Sequence, residues 1–123
     1  MLKYIYFFTL VLILQSCSKP AIELSDFDQQ KWIQDKDGCN ETRKSIVGTL
    51  LEQKSKLLGA EQVQITKLLG KPDKLELYER SQFFLIYSID PGKSCPNFDS
   101  TKIDNVALRF NALGRVSEVI YYQ

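Results

Sequence analysis

Apolar residues along the chain first form one continuous run and later recur at regular spacing. Residues 4–14 are all apolar except Thr9. A run of about 11 residues has the length of a signal-peptide core, whereas about 20 would be needed for a helix that spans a bilayer. The pattern therefore separates an N-terminal targeting segment from the rest of the chain.

Helical spacing follows the targeting segment. A first helix is predicted over about residues 41–58, with Asn40 as its N-cap and its apolar stripe formed by Ile46, Val47, Leu50, Leu51, Leu57 and Leu58. A second is predicted over about residues 60–69, with Val63, Leu68 and Leu69 facing inward. Gly70 supplies a left-handed residue at its end, and Pro72 prevents its continuation. Ahead of both, Ser25 is expected to cap a brief helical stretch that reaches Trp32.

The spacing changes to period two after Pro72. Residues 74–80 alternate and predict an edge strand, and residues 83–89 are apolar on both faces and predict a central one. A long loop over residues 90–105 precedes a third strand at 106–110, a turn containing Gly114, and a fourth strand at 115–122. The predicted fold is α+β, with two N-terminal helices packed on one face of a three- to four-stranded antiparallel sheet.

The end of the targeting segment carries a second signal. Lys3 supplies the positive charge, and Leu14-Gln15-Ser16-Cys17 resembles a lipobox, although Gln15 is a less usual residue at that place. The resemblance implies cleavage after residue 16 and a lipid anchor on Cys17. We therefore expect a signal peptide at 1–16, a lipidated tether at 17–25 and a single domain at 26–123. A plain secretory signal or a buried core helix is the alternative interpretation.

The residue after the cysteine bears on localisation. Ser18 stands where an Asp retains lipoproteins in the inner membrane of many enterobacteria. The expected address is therefore the outer membrane, facing the periplasm, with the lipid on Cys17 as the membrane contact. Two or three acyl chains are needed for a stable anchor, because one binds only reversibly.

Charge and composition narrow the possible partners and chemistry. The chain has 16 basic and 15 acidic residues, so removal of Lys3 with the signal peptide leaves 15 of each. This balance gives no electrostatic reason to expect nucleic acid as a partner. Histidine is absent, which removes the commonest general base and zinc ligand. No metal, cofactor or catalytic residue is predicted.

Two cysteines remain once Cys17 is acylated. In an exported protein, Cys39 and Cys95 most simply form one disulfide. The alternatives are a redox pair or a pair of metal ligands. The sequence has neither the C-x-x-C spacing of the first nor a visible third ligand for the second.

Two segments resemble the SmpA/OmlA (BamE-like) outer-membrane lipoproteins. Residues 59–63 with Leu68-Leu69-Gly70-Lys71-Pro72 resemble the family's helix signature, and Val106 to Asn111 with Gly114 and Val116 resembles its later strand. The similarity covers residues 59–122. Trp32, Gly38-Cys39 and residues 111–114 further resemble small lipoproteins of the Bacteroidetes group. The longer first helix and the cysteine pair depart from the family's pattern. The resemblance implies a binding or scaffold role in outer-membrane protein assembly.

The remaining polar and aromatic residues give only weak indications of a functional site. The carboxylate pairs Asp26/Asp28, Asp35/Asp37 and Glu76/Glu79 are expected at the solvated surface. Asp99-Ser100-Thr101 resembles a Bacteroidetes O-glycosylation motif. The residues Tyr78, Tyr87, Tyr121, Tyr122, Phe83 and Phe84 form either core packing or a docking surface for a protein.

The leading hypothesis is a non-enzymatic envelope lipoprotein that binds a protein partner. The alternatives are a module similar to a proteinaceous β-lactamase inhibitor, and a lipoprotein hydrolase, which the lack of histidine disfavours. Gly70 and Gly114 are predicted to need positive φ at their turns, whereas Gly92, in the long loop, is predicted to tolerate substitution.

Overall fold

The computed structural model describes residues 19–123, so the predicted signal peptide and Cys17 lie outside the described residues. Within this range three α-helices precede four strands. The helices are α1 (Gln29–Gln34), α2 (Thr42–Glu52) and α3 (Gln62–Leu69), and short 3₁₀ turns occur at Lys36–Gly38 and Lys54–Lys56. The strands are β1 (Lys74–Tyr78), β2 (Gln82–Ser88), β3 (Asn105–Phe110) and β4 (Val116–Tyr122).

The four strands form an antiparallel sheet in the order β1-β2-β3-β4, so every strand pairs with its neighbour in sequence. Leu85 lies opposite Leu108, and Tyr87 lies opposite Val106. These residues face the helices, because successive side chains on a strand alternate between the two faces. The opposite face of the sheet is called the outer face here. The predicted α+β class, with helices N-terminal to the strands, is confirmed.

The core lies between the helices and the inner face of the sheet. Trp32 is completely buried and contacts Phe27 and Tyr87 at ring-centroid distances of 5.6 and 6.2 Å. The other fully buried apolar side chains of the helical layer are Leu50, Leu57, Ile65 and Leu69. Each such side chain contributes about 1.5–3 kcal/mol of burial energy, so this layer provides much of the fold's stability.

The first predicted helix is shorter than the sequence indicated. It spans Thr42–Glu52, and the prediction that Asn40 caps it is wrong. The carboxylate of Asp35 instead accepts hydrogen bonds from the backbone N–H groups of Asn40 and Arg43, at 2.8 and 2.9 Å. After Glu52 the chain tightens into a 3₁₀ turn, which still delivers Leu57 to the core. Similarly, Asp28 and not Ser25 caps α1.

The orientation of Val63 was predicted incorrectly. Its side chain is 61% exposed, whereas Ile65, Leu68 and Leu69 occupy the buried stripe of α3. Two residues separate Val63 from Ile65, a rotation of about 200° that places Val63 on the opposite side of the helix. A capping box formed by Glu61 and Gln64 fixes the start of this helix.

Residues Lys19 to Phe27, here called the N-terminal strap, lie against the domain. Lys19 forms an ion pair with Glu61 at 2.6 Å, and the Gln64 side chain donates to the Pro20 carbonyl at 3.0 Å. Further along, the Gln53 amide exchanges two hydrogen bonds of 2.7 Å with the backbone of Ser25. The apolar side chains of the strap that pack against the core are Ile22, Leu24 and Phe27. The segment assigned to a tether therefore contacts the domain from Lys19 onward.

No helix in residues 19–123 has both the length and the apolar character that a membrane crossing requires.

Candidate functional site

A buried arginine organises the polar residues at one end of the sheet. Arg43 is 1% exposed, and its Nε donates to the Trp32 carbonyl at 2.9 Å. Its Nη1 donates to Asp73 at 2.6 Å and to the Ser88 carbonyl at 3.2 Å. The guanidinium carbon lies 5.2 and 5.7 Å from the ring centroids of Trp32 and Tyr87, within cation–π range. Arg43 thus joins α1, α2 and the sheet at one point.

The predicted surface position of Asp35 and Asp37 is wrong. Asp35 is 1% exposed because it caps α2 from within the fold. Asp37 is partly buried and accepts hydroxyl hydrogen bonds from Ser88 and Ser94, at 2.7 and 2.6 Å. Burial alone would raise the pKa of Asp37, but these hydrogen bonds outweigh it and hold the pKa below its ordinary value. Sequence spacing alone does not distinguish these carboxylates from the exposed pair Asp26/Asp28.

The predicted disulfide between Cys39 and Cys95 is present, with the two Cα atoms 5.3 Å apart. It ties the loop after β2 to the 3₁₀ turn that contains Asp37. The backbone strengthens this attachment, because Gly92 donates its N–H to the Asp37 carbonyl at 2.8 Å. The Asn97 amide adds a hydrogen bond of 3.2 Å to the Cys39 carbonyl. The long loop is thereby held in one place.

The prediction that Gly92 tolerates substitution is wrong. A Cβ atom at this position would lie 2.1 Å from the Asp37 carboxylate oxygen Oδ1. Since that carboxylate is fixed by Ser88 and Ser94, it cannot move without loss of its hydrogen bonds. Gly92 is required by the close approach of the loop to Asp37, which local sequence does not reveal.

A second carboxylate fixes the far end of the same loop. Asp90 accepts from Lys44 Nζ at 2.7 Å and from the backbone N–H of Asp104 at 3.1 Å. Burial raises the pKa of Asp90, but these donors, together with the charge of Lys102, more than compensate and leave the pKa lowered. The hydroxyl of Tyr121 donates a hydrogen bond to the Asp104 carboxylate. This bond is the main reason that the pKa of Tyr121 rises to about 12. Both ends of the loop are thus held by hydrogen-bonded carboxylates.

A cavity of about 380 Å³ opens between this loop and the outer face of the sheet. We call it the loop pocket. Its polar floor includes Asp37, Asp73, Ser88 and Asp90, and its remaining lining residues are Lys74, Glu76, Pro91, Gly92, Lys93, Phe98, Ile103, Asn105 and Tyr122. The side chains of Phe98, Ile103 and Tyr122 are 37–47% exposed. The pocket therefore combines exposed apolar walls with a floor whose carboxylates are held in fixed positions.

The remaining sequence candidates are dispersed. Gly70 and Gly114 have φ of 78° and 75°, at the end of α3 and in the β3–β4 turn, and Pro72 lies two residues after Gly70 and two before the start of β1. In the predicted glycosylation motif, Asp99 accepts two hydrogen bonds from Thr101 within an exposed turn. Cys17, the predicted lipidation site, lies outside residues 19–123.

The aromatic residues divide between core and surface. Tyr87 belongs to the core and donates to the Gly70 carbonyl at 2.8 Å, and Phe83 stacks on Phe110 in the same layer. Tyr78 and Phe84 meet edge to face on the outer face, while Tyr122 lines the loop pocket. Core packing therefore accounts for Tyr87 and Phe83, whereas Tyr78, Phe84 and Tyr122 lie on the outer face.

The residues that sequence reasoning missed are Arg43, Lys44, Asp73 and Ser88. One signal was available, because Arg43 stands four residues before Val47 and seven before Leu50, on the apolar stripe of α2. A charged residue at such a position requires a buried partner. The partner, Asp73, is 30 residues away, so the sequence could not identify it.

Among residues 19–123, no group of three or more Cys, Asp or Glu side chains has the arrangement of a metal site. Comparisons of the chain with protein-family models, with curated proteins and with solved structures each find no match.

Proposed function

We propose that this chain is a non-enzymatic lipoprotein of the bacterial envelope, held at the outer membrane by lipid on Cys17, and that its domain binds a partner protein through the loop pocket. The lipobox-like segment Leu14-Gln15-Ser16-Cys17 supports the anchor. The resemblance of residues 59–122 to the SmpA/OmlA lipoproteins supports a role in outer-membrane protein assembly.

The observation that carries the binding role is the construction of the loop pocket. Its floor is fixed by the ion pair of Arg43 with Asp73 and by the hydrogen bonds of Asp37, while Cys39–Cys95 holds the wall. A surface that is ordered before association loses little conformational entropy on binding. Aromatic side chains that anchor in well-packed pockets are typical of protein-binding hot spots.

The carboxylates of the pocket floor hold neighbouring elements of the fold in position. Asp73 accepts from Arg43, from the Asp37 backbone N–H and from the Ser88 backbone N–H, at 2.6, 2.8 and 2.8 Å. Its lone pairs are therefore used within the fold. The partner is expected to place an apolar or aromatic side chain against Phe98 and Tyr122.

The anchor can be tested by labelling. Cells given an azido-palmitate should label the wild-type chain, and Cys17→Ala should abolish both the label and the membrane association, because acylation requires that thiol. Equal labelling of the variant would show that Cys17 is not the anchor.

The partner can be sought by pull-down from solubilised membranes with the anchor intact. The double variant Phe98→Ala/Tyr122→Ala should lose the captured protein. The matched control Leu75→Ala/Tyr78→Ala, which removes side chains of similar exposure from β1, should retain it. Recovery of barrel-assembly components would support the assembly role, and recovery of a soluble periplasmic enzyme would favour an inhibitor. Equal capture by both variants would contradict binding at the loop pocket.

A further inference from the structure

The N-terminal strap reaches the domain at a defined end. Lys19 and Pro20 contact Glu61 and Gln64 at the start of α3. Glu61 forms an isolated bridge with Arg115, just after the turn between β3 and β4. The chain therefore enters at the end of the sheet that carries the β1–β2 and β3–β4 turns, here called the hairpin end.

The most exposed apolar side chains lie at this same end. Among residues 19–123, the three most exposed large hydrophobic side chains are Leu77 at 85%, Leu113 at 83% and Val63 at 61%. Leu113 is in the β3–β4 turn, Val63 is in the first turn of α3, and Leu77 is the penultimate residue of β1. Their common location at the hairpin end requires an explanation.

Leu58 extends this apolar group. It is 51% exposed, and the following residue, Gly59, donates its N–H to the Val116 carbonyl at 2.8 Å. That bond places Leu58 beside the β3–β4 turn. Exposed basic residues flank it, since Lys54 and Lys56 precede Leu58 and Arg115 follows the turn. Apolar side chains with basic neighbours are typical of surfaces that contact a lipid headgroup layer.

The length of chain between the anchor and the strap is very short. Lys19 is only two positions after Cys17, which allows a reach of about 7 Å. One headgroup layer of a bilayer is roughly 5–8 Å thick, from the difference between core and total thickness. A lipid on Cys17 would therefore hold Lys19 within or directly against the headgroups.

From this geometry we propose that the domain rests on the bilayer in one orientation, with Leu58, Val63, Leu77 and Leu113 in contact with the lipid interface. This inference rests on the proposed lipid anchor at Cys17. The seven residues of β2 span roughly 20 Å from the hairpin end to Ser88 on the pocket floor. The loop pocket consequently faces away from the membrane, toward the aqueous compartment.

Quenching of tryptophan fluorescence by brominated lipid tests the orientation. The full lipidated chain is reconstituted in phosphatidylcholine vesicles that carry bromine on the acyl chains. Leu113→Trp should be quenched at least about twofold more than Ile103→Trp, because apolar groups of an interfacial surface enter some 5–10 Å into the bilayer. Ile103, in the loop-pocket wall, is 47% exposed and is the matched control. Trp32 is fully buried and gives the same background in both variants.

Flotation of the vesicles distinguishes failure of the proposed orientation from failure of the proposed lipid anchor. If the protein floats and only Leu113→Trp is quenched, the orientation is supported. If it floats and both variants are quenched equally, or neither is, the orientation is overturned while the anchor stands. If the acylated protein cannot be obtained because Cys17 takes no lipid, both proposals are overturned.

Discussion

Arg43 shows how one residue can determine the arrangement of several elements. Its side chain is 1% exposed and its ion pair with Asp73 is shielded from water by Trp32 and Tyr87. Burial of a charge is costly, and here the ion pair with Asp73 and the hydrogen bonds of Nε and Nη1 to the Trp32 and Ser88 carbonyls offset that cost. Removal of one partner leaves the other charge buried and uncompensated.

We therefore expect Arg43→Met to lower the free energy of unfolding by about 3 kcal/mol. The comparison is Lys31→Met, which removes an exposed ion pair with Asp28 and should change stability by less than about 1 kcal/mol. Urea denaturation of the disulfide-bonded protein provides the measurement. Similar midpoints for the two variants would mean that the Arg43–Asp73 pair does not stabilise the fold.

Gly70 is the second residue whose backbone is decisive. Its φ of 78° is unfavourable for a side chain, and its N–H closes α3 by donation to the Thr66 carbonyl at 2.9 Å. A Cβ here would also lie 3.1 Å from the Ile33 side chain. Gly70→Val should destabilise the protein by more than about 1 kcal/mol, since a β-branched residue at positive φ is strained.

Gly48 offers the matched control for Gly70. It is exposed within α2, and a Cβ atom added there would have no neighbouring atom within 4 Å. Gly48→Ala should stabilise by about 0.5–1 kcal/mol, because alanine restricts the unfolded chain and favours the helix. Denaturation curves that move in the same direction for both variants would contradict the assigned role of Gly70.

At the scale of elements, the β1–β2 hairpin contains local strain. Arg80 and Ser81 have φ of 55° and 62°, although neither is the glycine or asparagine that such turns favour. The Gln82 N–H closes the turn on the Glu79 carbonyl at 3.2 Å. Both central residues have the positive φ of a type I′ turn, which matches the twist of the flanking strands.

Replacement of Arg80-Ser81 by Asn-Gly should therefore raise the free energy of unfolding by about 1 kcal/mol. Ser100→Gly serves as a comparison, because Ser100 has no positive φ and gains nothing from glycine. Thermal unfolding of the two variants and the parent gives the result. No gain for the hairpin variant would indicate that the turn is not strained.

The sequence predicted the strands more accurately than the helices, for a physical reason. Alternation with period two is set by which face is buried, so the boundaries of β2 and β3 differ from the prediction by one residue. The limits of α2 depend on partners outside the helix, namely Asp35 at its start and Ser25, 28 residues from Gln53, at its end. Propensity alone could not supply those partners.

The loop pocket was also beyond sequence reasoning, apart from its disulfide. The pairing of Cys39 with Cys95 follows from their number, because only two cysteines remain after Cys17. The floor arises from Asp37, Asp73 and Asp90, which are brought together by three different connections. Each appears in the sequence as an ordinary polar turn residue.

At the scale of the whole molecule, the disulfide joins the helical half to the sheet half, across 56 residues of sequence. Its reduction should lower the free energy of unfolding by about 4 kcal/mol, because the unfolded chain regains the entropy of an open loop. Urea midpoints with and without reductant measure this change, and Cys39→Ser/Cys95→Ser provides the matched comparison. A reduced protein with an unchanged midpoint would contradict the entropic role of the bridge.

Low pH should destabilise the region around Cys39–Cys95, where Asp37 and Asp90 lie. Asp37 and Asp90 have lowered pKa values in the folded protein, so the stability that they contribute is present above their unfolded pKa, near 4. That contribution is lost as pH falls through the lowered values. Urea midpoints should therefore decrease from pH 5 toward pH 2, and less steeply for Asp37→Asn. If the urea midpoints of parent and variant decrease in parallel, Asp37 does not contribute to the loss of stability at low pH.

The order in which the strap meets its partners has a consequence for biogenesis. Synthesis begins at the N-terminus, so Lys19 and Pro20 are made before their partners Glu61 and Gln64 and before any strand. The meander of neighbouring strands closes short loops, whereas the strap closes a loop of some 40 residues. We therefore expect the strap to dock after the sheet has formed. Until the strap docks, Ile22, Leu24 and Phe27 lack the core against which they pack in the folded domain.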